Sequence, residues 1–365
     1  MKVNTISLNS VRLKYNRMNH IGEIRSGGGA SKPSPIPSWI REHIVFYYDV
    51  KKQGATNETL KESAYLQDLS GKGRRMKLNN FLFAEMNGVG GYNDNFSNWR
   101  TDSNNGVVKI ESDSSIVIQS VKIEYRGVLY QDSTKKTTLK CNITGITEEL
   151  KGKLIFRYTD AEGGKNITLE NGYFEFNSSE YEGLSGWYGF TSKQPIDNCN
   201  ITITQIPEYP GALVTDGVDD YGGANLAGGI KILFMTVNPI TANKMFFSQR
   251  LQEASTYPFA IYNGEYEPAY NYMNPNGVSY IDGVLNNSIL PHELLGVKHT
   301  ITLVNDTVNS DNTLKSPIFF NGRSVNYYAK LAFYNSIAFD SIPSESDGFT
   351  EQELIDYVLT NIIGQ

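Results

Sequence analysis

The sequence predicts an all-β protein built from antiparallel sandwiches, and three observations carry that expectation. Aromatic residues make up 12% of the chain, with 23 Tyr among them, and there are 33 Gly, a balance suited to many short strands joined by turns. Runs with period-two alternation recur, and Asn-Gly pairs at 263, 276 and 321 with Asp-Gly at 282 punctuate them as hairpin turns. The length of 365 residues exceeds a usual single core, so two domains plus tails are expected.

In chain order, residues 1–25 carry Arg12, Lys14, Arg17 and Arg25 against a single acid, Glu23, and form a small basic arm. Residues 26–38 run Ser-Gly-Gly-Gly-Ala-Ser-Lys-Pro-Ser-Pro-Ile-Pro-Ser. Flexible glycines give way there to prolines that cannot pair in a central strand, which makes the segment a linker. An arm this short and polar cannot bury a core of its own. It is expected to order on a partner, with Ile6, Leu8, Val11 and Leu13 as apolar anchors and Arg12, Lys14 and Arg17 meeting an acidic surface.

Residues 39–103 open the first core with an apolar strand over 43–50. The texture changes across 104–206, where strands alternate cleanly. Over 115–125, Val121, Ile123 and Tyr125 fall on one side and Lys122 and Glu124 on the other. Residues 136–143, 153–158, 172–176 and 198–206 read similarly, enough for a small β-sandwich. Residues 207–365 begin with the organising stretch, Gly211-Ala-Leu-Val-Thr-Asp-Gly-Val-Asp-Asp-Tyr221. It combines an apolar strand start, a tight turn at Asp216-Gly217, and Val218 and Tyr221 resuming the inward face. Further strands are expected over 229–237, 244–250, 257–263, 277–284, 297–304 and 327–334. At the end, Thr350-Glu-Gln-Glu353 is a capping box, and Leu354, Ile355, Val358, Leu359 and Ile362 form the apolar stripe of a helix that packs onto the sheets.

Several of these residues carry a resemblance. LVTDGVDDY resembles the F-DG-DDY signature of concanavalin A-like jelly rolls of the laminin-G-like (LamG) type. The longer ITQIPEYPGALVTDGVDDY, from Ile203 to Tyr221, resembles structural proteins of tailed phages and prophages of gut bacteria, crAss-like phages among them. The run from Asp68 through Ser70, Gly71 and Gly73 is similar to the D-SG-G turn of those proteins, and KLAFYNSIAF followed by FTEQELIDYV is similar to their C-terminus. The resemblance spans most of residues 39–365. It implies a LamG jelly-roll sandwich formed by 39–103 and 207–365, with the 104–206 sandwich inserted and a C-terminal helix. As function it implies a virion protein made in the host bacterial cytoplasm, a head or tail fibre-like or accessory component docked on other virion proteins by its arm. A homo-oligomer displaying a lectin-like domain for host-surface or glycan adhesion is expected. The alternatives are a glycan hydrolase of the same fold and a decoration protein with no ligand.

Charge and motifs narrow the chemistry. A net charge of −6 offers no electrostatic attraction to nucleic acid, and the cluster of Lys72, Arg74, Arg75 and Lys77 reads as a solvated loop. No run of about 18 apolar residues spans a bilayer, and the N-terminus lacks an apolar secretory region, so neither membrane insertion nor secretion is expected. Cys141 and Cys199 read as buried thiols. His292-Glu-Leu-Leu-Gly296 lacks the second His of a zinc-protease helix, and Glu265 and Glu267 lack the intervening Asp of a glucanase strand. The chain is therefore expected not to be an enzyme. Sugar platforms need exposed rings, and Trp99, Trp187, Tyr188, Tyr262 and Tyr270 are candidates because they lie beside turn signals. LamG-like relatives can hold Ca²⁺ with loop carboxylates, for which Asp216, Asp219 and Asp220 supply hard oxygens. The favoured reading of these three is structural, with Asp216 capping its own turn and Asp219 and Asp220 bonding loop amides.

Overall fold

Among the described residues strands dominate, and each pairing between them is antiparallel. The computed structural model describes residues 36–364 apart from 227–228, 242–243, 250–258, 264–271, 274–276, 287–290, 306–316, 322–327 and 343–349. The proposed docking arm, Ile6, Leu8, Val11, Arg12, Leu13, Lys14 and Arg17, lies outside the described residues, as do Tyr270, Glu265 and Glu267.

Two large sheets are drawn from residues 44–89 and 213–339. In the eight-stranded sheet the order is Val284–Leu285, Val278–Ile281, His299–Val304, Ile232–Pro239, Leu331–Phe339, Leu213–Val214 and Gly88–Val89, with Ile44–Asp49 also on Leu331–Phe339. The seven-stranded sheet runs Tyr65–Leu66, Met76–Asn79, Tyr221–Ala224, Ile318–Phe319, Lys244–Gln249, Phe259–Asn263 and Tyr272–Met273. Both contribute to one hydrophobic core. Phe319 shows how: its ring meets Phe46, Tyr48 and Phe333 of the other sheet and Phe247 of its own at centroid distances of 5.8, 5.9, 6.1 and 5.0 Å. Truncating such a ring to Ala removes about 3–5 kcal/mol.

Two five-stranded sheets are drawn from residues 100–205. One contains Gly163–Thr168, Leu154–Asp160, Trp187–Ser192, Leu129–Asp132 and Arg100–Thr101; the other Gly172–Asn177, Thr138–Thr144, Ile201–Gln205, Ser115–Val121 and Gly106–Ser112. They share a second core, centred on Phe156 with Phe174, Phe176 and Phe190 at 5.1, 4.7 and 5.1 Å. The chain leaves the large sheets after Gly88–Val89 and rejoins them at Leu213–Val214, and these two strands pair with each other. The beginning and end of the intervening segment are thereby held side by side.

Two local expectations are corrected. The Asp216-Gly217 turn does not close a hairpin: Leu213–Val214 lies in the eight-stranded sheet and Tyr221–Ala224 in the seven-stranded one, so the stretch crosses between sheets. Val218, at the apex of that crossing, is 70% exposed rather than inward. The strand through residue 120 stops at Val121, beyond which the Lys122 amide bonds the Asn105 carbonyl at 2.7 Å and Tyr125 turns into the left-handed region (φ 55°), with Ile123 and Tyr125 exposed. At Asp282-Gly283 the hairpin is present, both residues at positive φ as a tight two-residue turn requires, with Ile281 opposite Val284.

The C-terminal helix Glu351–Tyr357 begins with the expected capping box at Thr350 and Glu353 and continues in wider turns over Val358–Ile363. Leu354, Ile355, Val358 and Ile362 are buried. Its ends are tied to the eight-stranded sheet: the Tyr280 hydroxyl donates to Glu351 at 2.6 Å, and Tyr47 and Lys52 both donate to the Ile362 carbonyl. A lysine at the carboxyl end also opposes the negative pole of the helix.

Candidate functional site

The crossing loop places its acids close together. Asp216, Asp219 and Asp220 offer carboxylate oxygens within 4.8 Å of one another, Asp220 fully buried and Asp219 exposed. Each inner carboxylate already accepts from nitrogen donors. Asp216 Oδ1 receives the Val218 amide at 2.7 Å, and Asp220 Oδ2 receives the Asp216 amide at 2.8 Å. Asn87, itself buried, donates to Asp216 at 3.1 Å and Asp220 at 3.3 Å while accepting the Leu82 amide. Asp219 contributes its backbone carbonyl, to Asn80, at 3.0 Å. Burial pushes the Asp220 carboxyl up to about 7; the bond from the Asp216 amide opposes this and the Asp216 charge reinforces it.

Ca²⁺ takes 6–8 oxygen ligands, as a general matter about twice what three monodentate carboxylates supply. Here the two inner acids are occupied as acceptors for loop amides and Asn87, so the donor set fits a braced crossover better than a cation cage.

The aromatic candidates separate by burial. Trp99 and Tyr188 are corrected to core residues, 4% and 0% exposed. Their rings pack edge to face at 5.8 Å, and the Tyr188 hydroxyl is spent on the Lys135 carbonyl. Trp187 is half-buried against Tyr130 at 5.8 Å. Tyr262 lies on the strand Phe259–Asn263.

Alternation could have found a ring that turn proximity missed. In Gly172–Asn177, Phe174 and Phe176 point into the core, which sends Tyr173 and Glu175 outward. Tyr173 is 63% exposed, the most exposed aromatic ring among the described residues.

The basic turn is structural in its details. Asp68 accepts the amides of Tyr47, Ser70 and Arg74 at 3.0, 2.9 and 2.9 Å. Arg74 returns a bond to the Val45 carbonyl, Lys72 bonds the Glu42 carbonyl, and Arg75 lies over the Tyr65 ring at 4.4 Å. Lys77 remains exposed on its strand. Cys141 and Cys199 are free and buried, and burial raises both thiols above their ordinary range, which keeps them in the unreactive thiol form.

A Ser–His–Asp group with no sequence signature forms where residues 43 and 340 meet across a sheet. Ser341 Oγ and Asp340 Oδ1 lie 2.7 and 3.3 Å from the same nitrogen of His43, Nδ1. A nucleophile relay needs the serine on one ring nitrogen and the acid on the other. This trio is a hydrogen-bonded cap on the strand pair.

Fold and site together define an all-β protein of stacked antiparallel sheets with a braced acidic crossover. No protein-family model, curated protein or solved structure matches the chain. Among the described residues, no helix is long and apolar enough to cross a membrane.

Proposed function

We propose that this chain is a structural protein of a tailed-phage particle, a head or tail accessory or fibre-like component, whose β-sandwiches are displayed for adhesion to host glycans. The observation that carries the proposal is the stretch Ile203 to Tyr221. It bears the resemblance to LamG-like phage proteins, and in this fold it leads the chain out of the five-stranded sheets and across from one large sheet to the other. On this reading the two large sheets are a concanavalin A-like jelly roll and residues 104–206 its inserted sandwich. The basic arm, 1–25, is the docking element on neighbouring virion proteins, and the displayed body forms homo-oligomers.

The experiment is mass spectrometry and immunogold electron microscopy on purified particles from a host carrying the gene. The chain is expected in the particle at a fixed ratio to the major capsid protein. Its absence from particles, with the protein present in the lysate, refutes the proposal.

A further inference from the structure

The sheet of Gly172–Asn177, Thr138–Thr144, Ile201–Gln205 and Ser115–Val121 has two unlike faces. Leu139, Cys141, Ile143, Ile201, Ile203, Ile116 and Ile118 point into the core. Strand alternation therefore turns a different set outward. The register aligns Tyr173 with Asn142, Asn142 with Thr204, and Thr204 with Ser115 in one row across four strands. That row covers three strand spacings, about 14 Å. Beside it, Glu175 pairs in register with Lys140.

Several of the polar groups brace one another. Tyr173 Oη donates to Glu175 at 2.5 Å, Ser115 and Thr204 hydroxyls lie 3.2 Å apart, and Lys140 Nζ bonds Glu208 at 2.6 Å, which also accepts from Asn93 at 2.7 Å.

From this arrangement we infer that the outward face running from Tyr173, on the edge strand, across to Ser115 binds a neutral oligosaccharide. The inference rests on the adhesive part of the proposed function and places the binding surface on one of the residue 100–205 sheets, with Glu208 and Asn93 at its margin. An exposed ring offers its face to the C–H side of a pyranose, and adjacent hydroxyl, amide and carboxylate groups satisfy sugar hydroxyls. The groups are pre-positioned, which lowers the ordering cost of binding. Glu175 and Glu208 flank the lysine, so an anionic glycan meets like charge there. A protein partner would need a desolvated apolar centre, whereas Tyr173 stands beside Asn142, Glu175 and Lys140.

The test is isothermal titration of the full chain with cellotetraose, mannotetraose, xylotetraose and chitotetraose, joined to saturation-transfer NMR. At least one probe is expected to bind. Tyr173→Ala is expected to weaken that binding about tenfold with an unchanged thermal midpoint, because the ring is mostly exposed. Tyr125→Ala, which removes an exposed ring elsewhere, is expected to leave it unchanged. Equal affinity of wild type and Tyr173→Ala, or no binding by any probe, overturns the inference. Either result is separable from the particle proposal, which is decided by whether the chain is present in purified virions.

Discussion

Asp220 ties chemistry to folding most directly. Its carboxyl is buried and holds its proton up to about 7 in the folded chain, because desolvation outweighs the bonds from the Asp216 amide and Asn87. In the unfolded chain an aspartate releases its proton at about pH 4. The folded state therefore binds the proton more tightly, and the stabilisation is fully present below the unfolded value and lost as pH rises through the folded one. We expect this residue to lower stability by at most about 1.4 kcal/mol per pH unit between those limits. Denaturant titrations of wild type and Asp220→Asn at pH 5, 6, 7 and 8 should diverge systematically; parallel curves would remove the assignment. A second buried acid, Asp94, has one oxygen on Lys135 at 2.9 Å and its side chain sealed from solvent. Lys135→Met leaves that charge without its counter-ion, and we expect a loss of about 2–4 kcal/mol, largely recovered in the Asp94→Asn, Lys135→Met double variant.

Among elements, the crossing loop and the C-terminal helix are the most exacting. Gly217 has φ 77°, and a Cβ there would approach Lys330 Cβ to 2.8 Å. Gly217→Ala should destabilise by about 1–2 kcal/mol, measured from the urea midpoint. An unchanged midpoint would show that the crossing can relax. The helix depends on its first turn, where Thr350 and Glu353 cap each other. Thr350→Ala should cost about 1 kcal/mol, read from the thermal midpoint.

For the whole molecule, the side-by-side pairing of Gly88–Val89 with Leu213–Val214 means that residues between them can be removed without stretching the large sheets. Joining residue 93 to 207 through a short glycine linker, which also removes Phe96, Trp99 and the strand Arg100–Thr101 that belong to the second core, should leave a protein with one cooperative thermal transition. Its absence would show that the two cores stabilise each other, as a contact such as Lys61 with Asp113 permits. On the proposed virion reading, deleting residues 1–25 should yield a folded body that no longer joins the particle. Equal incorporation of truncated and full-length chains would refute docking by the arm.

By itself the sequence determined the all-β class, most strand positions and the C-terminal cap. These follow from local rules: alternation of side chains, turn residues that tolerate positive φ, and a hydroxyl three residues before a glutamate. Tyr173 was equally legible, since Phe174 and Phe176 beside it mark which way it faces. Tyr188 shares its inward strand face with Phe190, whereas only the tertiary structure decided that Trp99 is buried, because it is enclosed by strands distant in the chain. The same holds for the Asp216-Gly217 turn. Its local chemistry suits a hairpin, yet Leu213–Val214 gains its partners from Phe333 and Val89 and Tyr221–Ala224 from Leu78 and Phe319. Non-local pairing outweighs turn preference because it satisfies backbone groups and buries Leu213, Val214 and Ala224, and that is a property of the assembled sheets.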